Sequence, residues 1–186
     1  QVALQGAIEV AKQGTVVNPV EPLNWGQLGA IYENVMSIIN GADGPAIDAY
    51  VRAAAGDPKN PQAVLNIARV LVASADRLQN DLKTLQQSKQ PDEARVKSLQ
   101  GEYVSRLDAA FKHLDNAIQL KADFTPAYFL QAQIFERQGK RSLAIQKTEE
   151  ARNLNFRDVG AGFQLGFLYY LDNRLDAARK EFERIV

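Results

Sequence analysis

Residues 125–155, TPAYFLQAQIFERQGKRSLAIQKTEEARNLN, and residues 159–186, VGAGFQLGFLYYLDNRLDAARKEFERIV, align without a gap at an offset of 34. Ala132 falls on Gly166, Phe135 on Tyr169 and Ala144 on Ala178, and Ala110 stands a further 34 residues upstream of Ala144. Each copy carries two apolar stripes at helical spacing with a turn between them, so the unit is a pair of helices. Such a pair cannot bury its apolar face alone, and stacked neighbours share one core. Small residues at Gly29, Ala68, Ala132 and Gly166 on first helices, and at Ala46, Ala110, Ala144 and Ala178 on second helices, let the backbones approach closely. Trp25, Tyr32, Tyr50, Leu71, Leu114, Phe135, Tyr169 and Phe182 are the large residues that fill the space between them.

Upstream, WGQLGAIY places Trp25, Leu28, Gly29 and Tyr32 in the W-x2-L-G-x2-Y pattern, and Ala46, Ile47, Tyr50, Ala53 and Pro58 continue it. On these residues the chain resembles the tetratricopeptide repeat (TPR) family from about residue 22 to its end. The resemblance implies an all-α, right-handed solenoid of helical hairpins forming a single domain over residues 1–186. Its parts are a helix of a preceding repeat at 1–14 and four repeats at 22–58, 61–122, 125–156 and 159–186. Prolines paired with capping side chains (Asn18-Pro19, Glu21-Pro22, Asp57-Pro58, Asn60-Pro61, Pro91-Asp92, Thr125-Pro126) and turn glycines Gly41, Gly44 and Gly139 set the boundaries. They predict helices at 2–13, 22–39, 45–55, 61–88, 92–121, 126–138, 141–153, 159–171 and 175–185.

Two departures from the period stand out. The first pair holds extra residues around MSIINGADG, which lengthen its first helix and turn. In the second pair the residue matching Ala46 should fall near 80 but is Ala110, so about thirty residues have been added. Leu71, Ala75, Leu78, Leu82 and Leu85 follow a 4-3-4-3 spacing, answered by Val96, Leu99, Tyr103, Leu107 and Ala110 across the turn QQSKQPDE. The insertion therefore extends the second repeat into a long antiparallel helical hairpin, an arm of about 20 Å at 1.5 Å per residue. Its outer residues, Arg77, Gln79, Asn80, Lys83, Gln86, Arg95, Lys97 and Glu102, read as a solvated spur or a contact arm.

Composition narrows the function classes. Twenty-two basic and twenty-two acidic residues cancel, which leaves no charge field for nucleic acid or an anionic membrane surface. The absence of cysteine excludes disulfides and thiolate metal sites and fits the cytosol and an extracytoplasmic space equally. The longest apolar stretch, Ala161 to Leu171, is broken by Gln164 and falls short of the roughly 20 residues of a membrane span. No stretch reads as a signal peptide, and the chain is expected to insert nothing into a membrane directly. QVALQGAIEVAKQG reads as a second helix without its partner, with Val2 or Ala3, Leu4, Ala7, Ile8 and Ala11 on one face and Gly14 as its stop. The final repeat has no polar capping helix after it. The chain is thus expected to be part of a longer protein, with Phe163, Phe167 and Tyr170 covered by further residues.

Catalysis has little to work with. His113, beside Lys112 and Asp115, is the only histidine, so neither a triad nor a two-histidine zinc site can be assembled, and it is expected at the surface. GAGFQLG at Gly160–Gly166 has no strand before it to make a dinucleotide loop, and GKRS at Gly139 lacks the rest of a phosphate loop. Glu149-Glu150 and Asp92-Glu93 belong to helix surfaces and first turns. No enzyme, cofactor or metal is expected.

The expected function is a non-catalytic scaffold that binds a protein or peptide along the groove lined by first helices. That groove presents Gln27, Glu33 and Asn34, then Gln62, Asn66 and Arg69, then Phe129, Gln133 and Arg137, then Phe163, Gln164, Phe167 and Tyr170. Amides satisfy a peptide main chain, arginines pair with carboxylates, and aromatics give apolar anchors. Asn66 and Arg69 are similar to the carboxylate-holding residues of family members that bind peptide C-termini, but Leu65 and Gln62 stand where lysines are wanted. The alternative is an oligomerisation module that self-associates through the hairpin. The succession of NWGQLGAIYENV, AIDAYVRAAAGDPKNPQAVLNIARVLVASAD, LKADFTPAYFLQAQIFERQGKRSLAIQ and FQLGFLYYLDNRLDAARKEFERIV also resembles the repeat region of bacterial O-antigen polymerase or ligase-like membrane proteins. That resemblance implies a soluble domain on the outer side of the cytoplasmic membrane.

Overall fold

The computed structural model describes residues 2–186; Gln1 and the side chains of Val2 and Ala3, which the sequence assigns to the first apolar face, lie outside the described residues. Those residues form nine α-helices and no strand: α1 (Val2–Val17), α2 (Pro22–Asn34), α3 (Asp43–Gly56), α4 (Pro61–Gln86), α5 (Glu93–Leu120), α6 (Thr125–Arg137), α7 (Arg141–Leu154), α8 (Val159–Leu171) and α9 (Leu175–Ile185). The architecture is all-α and built of helical hairpins of the TPR solenoid type. It packs as two compact units, Gln1–His113 and Leu114–Val186.

In the first unit α1 packs on α2, α2 on α3 and α3 on α4. Glycine makes the α2–α3 approach possible: a Cβ at Gly29 would lie 2.8 Å from the Tyr50 ring, which is itself 1 % exposed. Helices α4 and α5, of 26 and 28 residues, are about twice the length of the 13-residue α2. The stripes predicted to form their seam are their covered faces. Leu71, Ala75, Leu82, Leu99, Leu107 and Ala110 are buried, and Leu78, Leu85, Val96 and Tyr103 are half-buried.

In the second unit α6 pairs with α7 and α8 with α9, around Ala132, Ala144, Ile145, Leu165, Leu168, Tyr169 and Ala178 with Phe135 and Phe182 against them. The 34-residue period extends to turn geometry. Gly139 at φ 70° and Asn173 at φ 60° both take the left-handed conformation. Lys140 N–H donates to Phe135 O at 2.8 Å, and Arg174 N–H to Tyr169 O at 2.9 Å, the same closing bond one period on. A Cβ at Gly166 would meet the Phe182 ring at 2.7 Å, repeating the Gly29–Tyr50 contact.

Several boundaries depart from expectation. Helix α1 runs through Gly14 to Val17, because Gly14 O still accepts from Asn18 N–H at 3.1 Å and from the Asn24 side chain at 3.0 Å, and no side chain there holds α2 away. Helix α2 stops at Asn34 rather than 39, since Val35 and Met36 turn into the core at 3 % and 7 % exposure through a connection that uses Gly41 at φ 78°. Glu21, Asn60 and Asp92 cap helices as predicted, accepting from Leu23, Gln62 and Arg95 N–H. Asn18-Pro19 and Asp57-Pro58 do not; Asp57 instead closes α3, donating its N–H to Ala53 O. Thr125 is already inside α6, and the residue before it, Phe124, makes no side-chain cap. Arg77 is not a solvated spur residue, since its guanidinium donates to Met36 O. His113 is half-buried rather than on the surface, and burial pushes its imidazole below the ordinary value.

Candidate functional site

In the first unit the predicted residues divide between several surfaces. Gln62 and Asn66, one turn apart on α4, are joined by a hydrogen bond from Gln62 Nε2 to Asn66 Oδ1 at 2.8 Å. They line a pocket of about 330 Å³ between α2, α3 and α4, together with Leu23, Tyr50 and Asn60. Asn34 lies in a second depression with Glu33, Met36, Arg77 and Asn80. Gln27 is on neither; it lines the groove between α1 and α2.

Arg69 has a different role from the one its exposure suggests. Its Nε and Nη2 donate to Glu33 Oε1 and Oε2 at 2.5 and 2.6 Å, and the Tyr50 hydroxyl donates to the same carboxylate at 2.7 Å. Glu33 thus ties α2 to α3 and α4. Its bidentate bonds raise the Arg69 guanidinium further, while burial and then Glu33 raise the Tyr50 hydroxyl well above the usual phenol range. A guanidinium already held by two carboxylate oxygens is a poor receptor for a ligand's carboxylate. The amides, not the arginine, are the donors this surface can offer.

In the second unit α8 is the distinctive element. Its sequence VGAGFQLGFLYYL contains no charged residue. Ala161, Gly162, Leu165, Gly166, Leu168 and Tyr169 are buried, and Phe163, Phe167 and Tyr170 stand on the opposite side at 59 %, 48 % and 59 % exposure. The spacing i, i+4, i+7 aligns the three rings along the helix. Phe163 also packs on Phe182 of α9, centroids 5.8 Å apart. Gln164 is half-buried at the edge of this stripe. On α6, Phe129 and Arg137 are half-buried and Gln133 is exposed; Arg137 Nη1 donates to Gln133 O at 3.1 Å.

A charged network in this unit escaped the sequence reading. Glu181, 8 % exposed, accepts from Arg184 Nε at 2.9 Å and pairs with Arg152 Nη2 at 3.2 Å, while the Tyr169 hydroxyl donates to Glu149. Both arginines stack over Phe156, at 5.5 and 4.6 Å from its centroid. Only the Glu181–Arg184 half has a visible i, i+3 spacing; Arg152 comes from another helix. Burial first, then Glu149, pushes the Tyr169 hydroxyl up to about 12.

Among the described residues no group of histidine, aspartate and glutamate is placed to hold a metal ion, and no helix is long and apolar enough to cross a membrane. The geometry is that of a TPR-type fold. Solved structures agree on the fold. TTC0263 of Thermus thermophilus, described as a thermophilic TPR protein, is similar at 18 % identity with a TM-score of 0.65, covering 98 % of this chain and 81 % of its own. MamA gives 18 % and 0.65 over 98 % and 86 % of the two chains. PilF of Pseudomonas aeruginosa gives 15 % and 0.67 over 97 % and 68 %. No protein-family model matches the sequence. No curated protein matches it either.

Proposed function

We propose that this chain is a non-catalytic scaffold that binds a protein or peptide partner through the outward faces of its first helices. The uncharged stripe Phe163–Phe167–Tyr170 carries the reading. Three large rings exposed at one helical spacing are anchors of the kind that dominate protein interfaces, whereas isolated exposed apolar residues are ordinary. The Gln62–Asn66 pair and Asn34 supply amide groups for a ligand main chain. The engagement of Arg69 by Glu33 argues against a ligand recognised by a free C-terminal carboxylate.

The test is capture from an extract of the source cell, with the wild type beside a Phe163→Ala, Phe167→Ala, Tyr170→Ala variant and a Gln62→Ala, Asn66→Ala variant. Circular dichroism must first show all three equally helical. The expected result is a partner whose purified form binds the wild type and loses about tenfold or more in affinity to the aromatic variant. Equal affinity for all three proteins would sink the assignment of these faces.

The finer setting, the repeat region of an envelope membrane protein of O-antigen polymerase or ligase type, rests on the sequence resemblance alone. Fractionating source cells checks it: the full-length protein should sediment with membranes, and recovery in the cytosol would refute it.

A further inference from the structure

The partner of the α8 stripe can be named more closely, on the footing that the stripe is a protein-binding face. We propose that it binds a second copy of this chain, seating its rings in that copy's groove between α1 and α2.

Two of the three stripe positions are packing positions in another repeat, while the middle one, Phe167, falls on the exposed Arg69. In the repeat alignment that sets Ala68 on Gly166, Phe163 and Tyr170 correspond to Leu65 and Val72 of α4, which are 6 % and 4 % exposed. The two end positions are core in one repeat and bare in another, so the bare rings there are suited to a surface laid against them. The partner best suited to them offers space without charge, because α8 has no charged residue to pair with one.

The chain itself carries such a surface. The groove between α1 and α2 has a volume of about 660 Å³. Gly6, Ala7, Ala11 and Gly14 leave it open, Val10 and Ile31 line it, and its polar groups are the neutral amides of Asn24 and Gln27. A Cβ at Gly6 would meet nothing within 4 Å, and Val10 is 69 % exposed. Aromatic rings against glycine are also the contact this sequence already uses, in Tyr50 on Gly29 and Phe182 on Gly166. Ridge and groove thus match in shape and in the absence of charge. Burying both removes apolar area from water with no ion to desolvate.

The ridge and the groove are different surfaces, so every copy carries one of each and a single ridge-in-groove contact suffices to join two chains. Sedimentation velocity over a wide concentration range, with a complementation step, tests this. The wild-type mass should rise with concentration. Phe167→Glu on the ridge and Val10→Glu in the groove should each weaken association about tenfold or more, because a carboxylate would be buried unpaired. Mixed together they should form a complex that stops at two chains, since the first retains an intact groove and the second an intact ridge. Tyr170→Lys and Ala7→Glu form a second pair if either first substitution lowers helicity. A wild type that stays monomeric throughout overturns the proposal and leaves the scaffold reading standing with a different partner. A wild type that associates while the mixed variants do not pair places the contact elsewhere, such as on the α4–α5 hairpin, and overturns it equally.

Discussion

At residue scale the informative positions are those where the 34-residue period forces a particular side chain or conformation. Asn173 is the only described residue other than glycine with positive φ, and it stands where the preceding repeat has Gly139. Asparagine tolerates the left-handed region and a β-branched residue does not. Asn173→Val is therefore expected to lower stability by about 1–2 kcal/mol in urea unfolding, and Asn173→Gly to change it by less than about 0.5 kcal/mol. The two buried phenols give a pH signature. Their folded-state values lie above the ordinary 10, with Tyr169 at about 12, so between those values the unfolded chain has lost protons that the folded chain keeps. Their contribution is fully present below pH about 10 and is lost as the pH rises toward 12. Urea midpoints measured across this window should fall, and the Tyr50→Phe, Tyr169→Phe double variant should show a shallower fall.

At the scale of the element, the α4–α5 extension shows how a local pattern survives inside a repeat. Leu71, Ala75, Leu82, Leu99 and Leu107 are buried on the stripes that their spacing defines. Leu107, at 0 % exposure, should lose about 2–5 kcal/mol on truncation to alanine, whereas the exposed Lys97→Ala should move the denaturation midpoint scarcely at all. Equal effects would mean the stripe is not a seam. The base of the extension is also tied to the start of α3, through Ser74 and Arg106 to Asp43, and to the α2–α3 connection, through Arg77 to Met36 O. Helix spacing could not reveal those bonds, because their partners lie 31 or more residues apart. The early end of α2 has the same origin: nothing local stops the helix before 39, and burial of Val35 and Met36 does.

At the scale of the whole molecule, the sequence expects one repeat array over residues 1–186, and an array of stacked pairs unfolds cooperatively when its neighbours are coupled. Trp25, the only tryptophan, reports on the first unit by fluorescence, while circular dichroism reports on every helix. Coincident guanidinium transitions by the two probes are expected of a single array; a fluorescence transition well separated from the helical one would divide it.

The helix pairs, their order, the small-on-large contacts and the length of the extended hairpin were all legible in the chain before any folding was considered. These depend on periodicity and residue size, which are properties of neighbours along the chain. The same reading singled out Phe163, Phe167 and Tyr170, which are exposed, and Asn66, Phe129 and Gln164, which are half-buried. Which of them share a surface emerged only from the folded molecule: Gln62 with Asn66, Gln27 apart from both, Arg69 held by Glu33 and Tyr50, and Arg152 brought to Glu181. The division has one physical reason. Burial patterns repeat with the helix and are written locally, whereas an ion pair or a shared pocket forms where distant helices converge, and no spacing along the chain encodes that convergence.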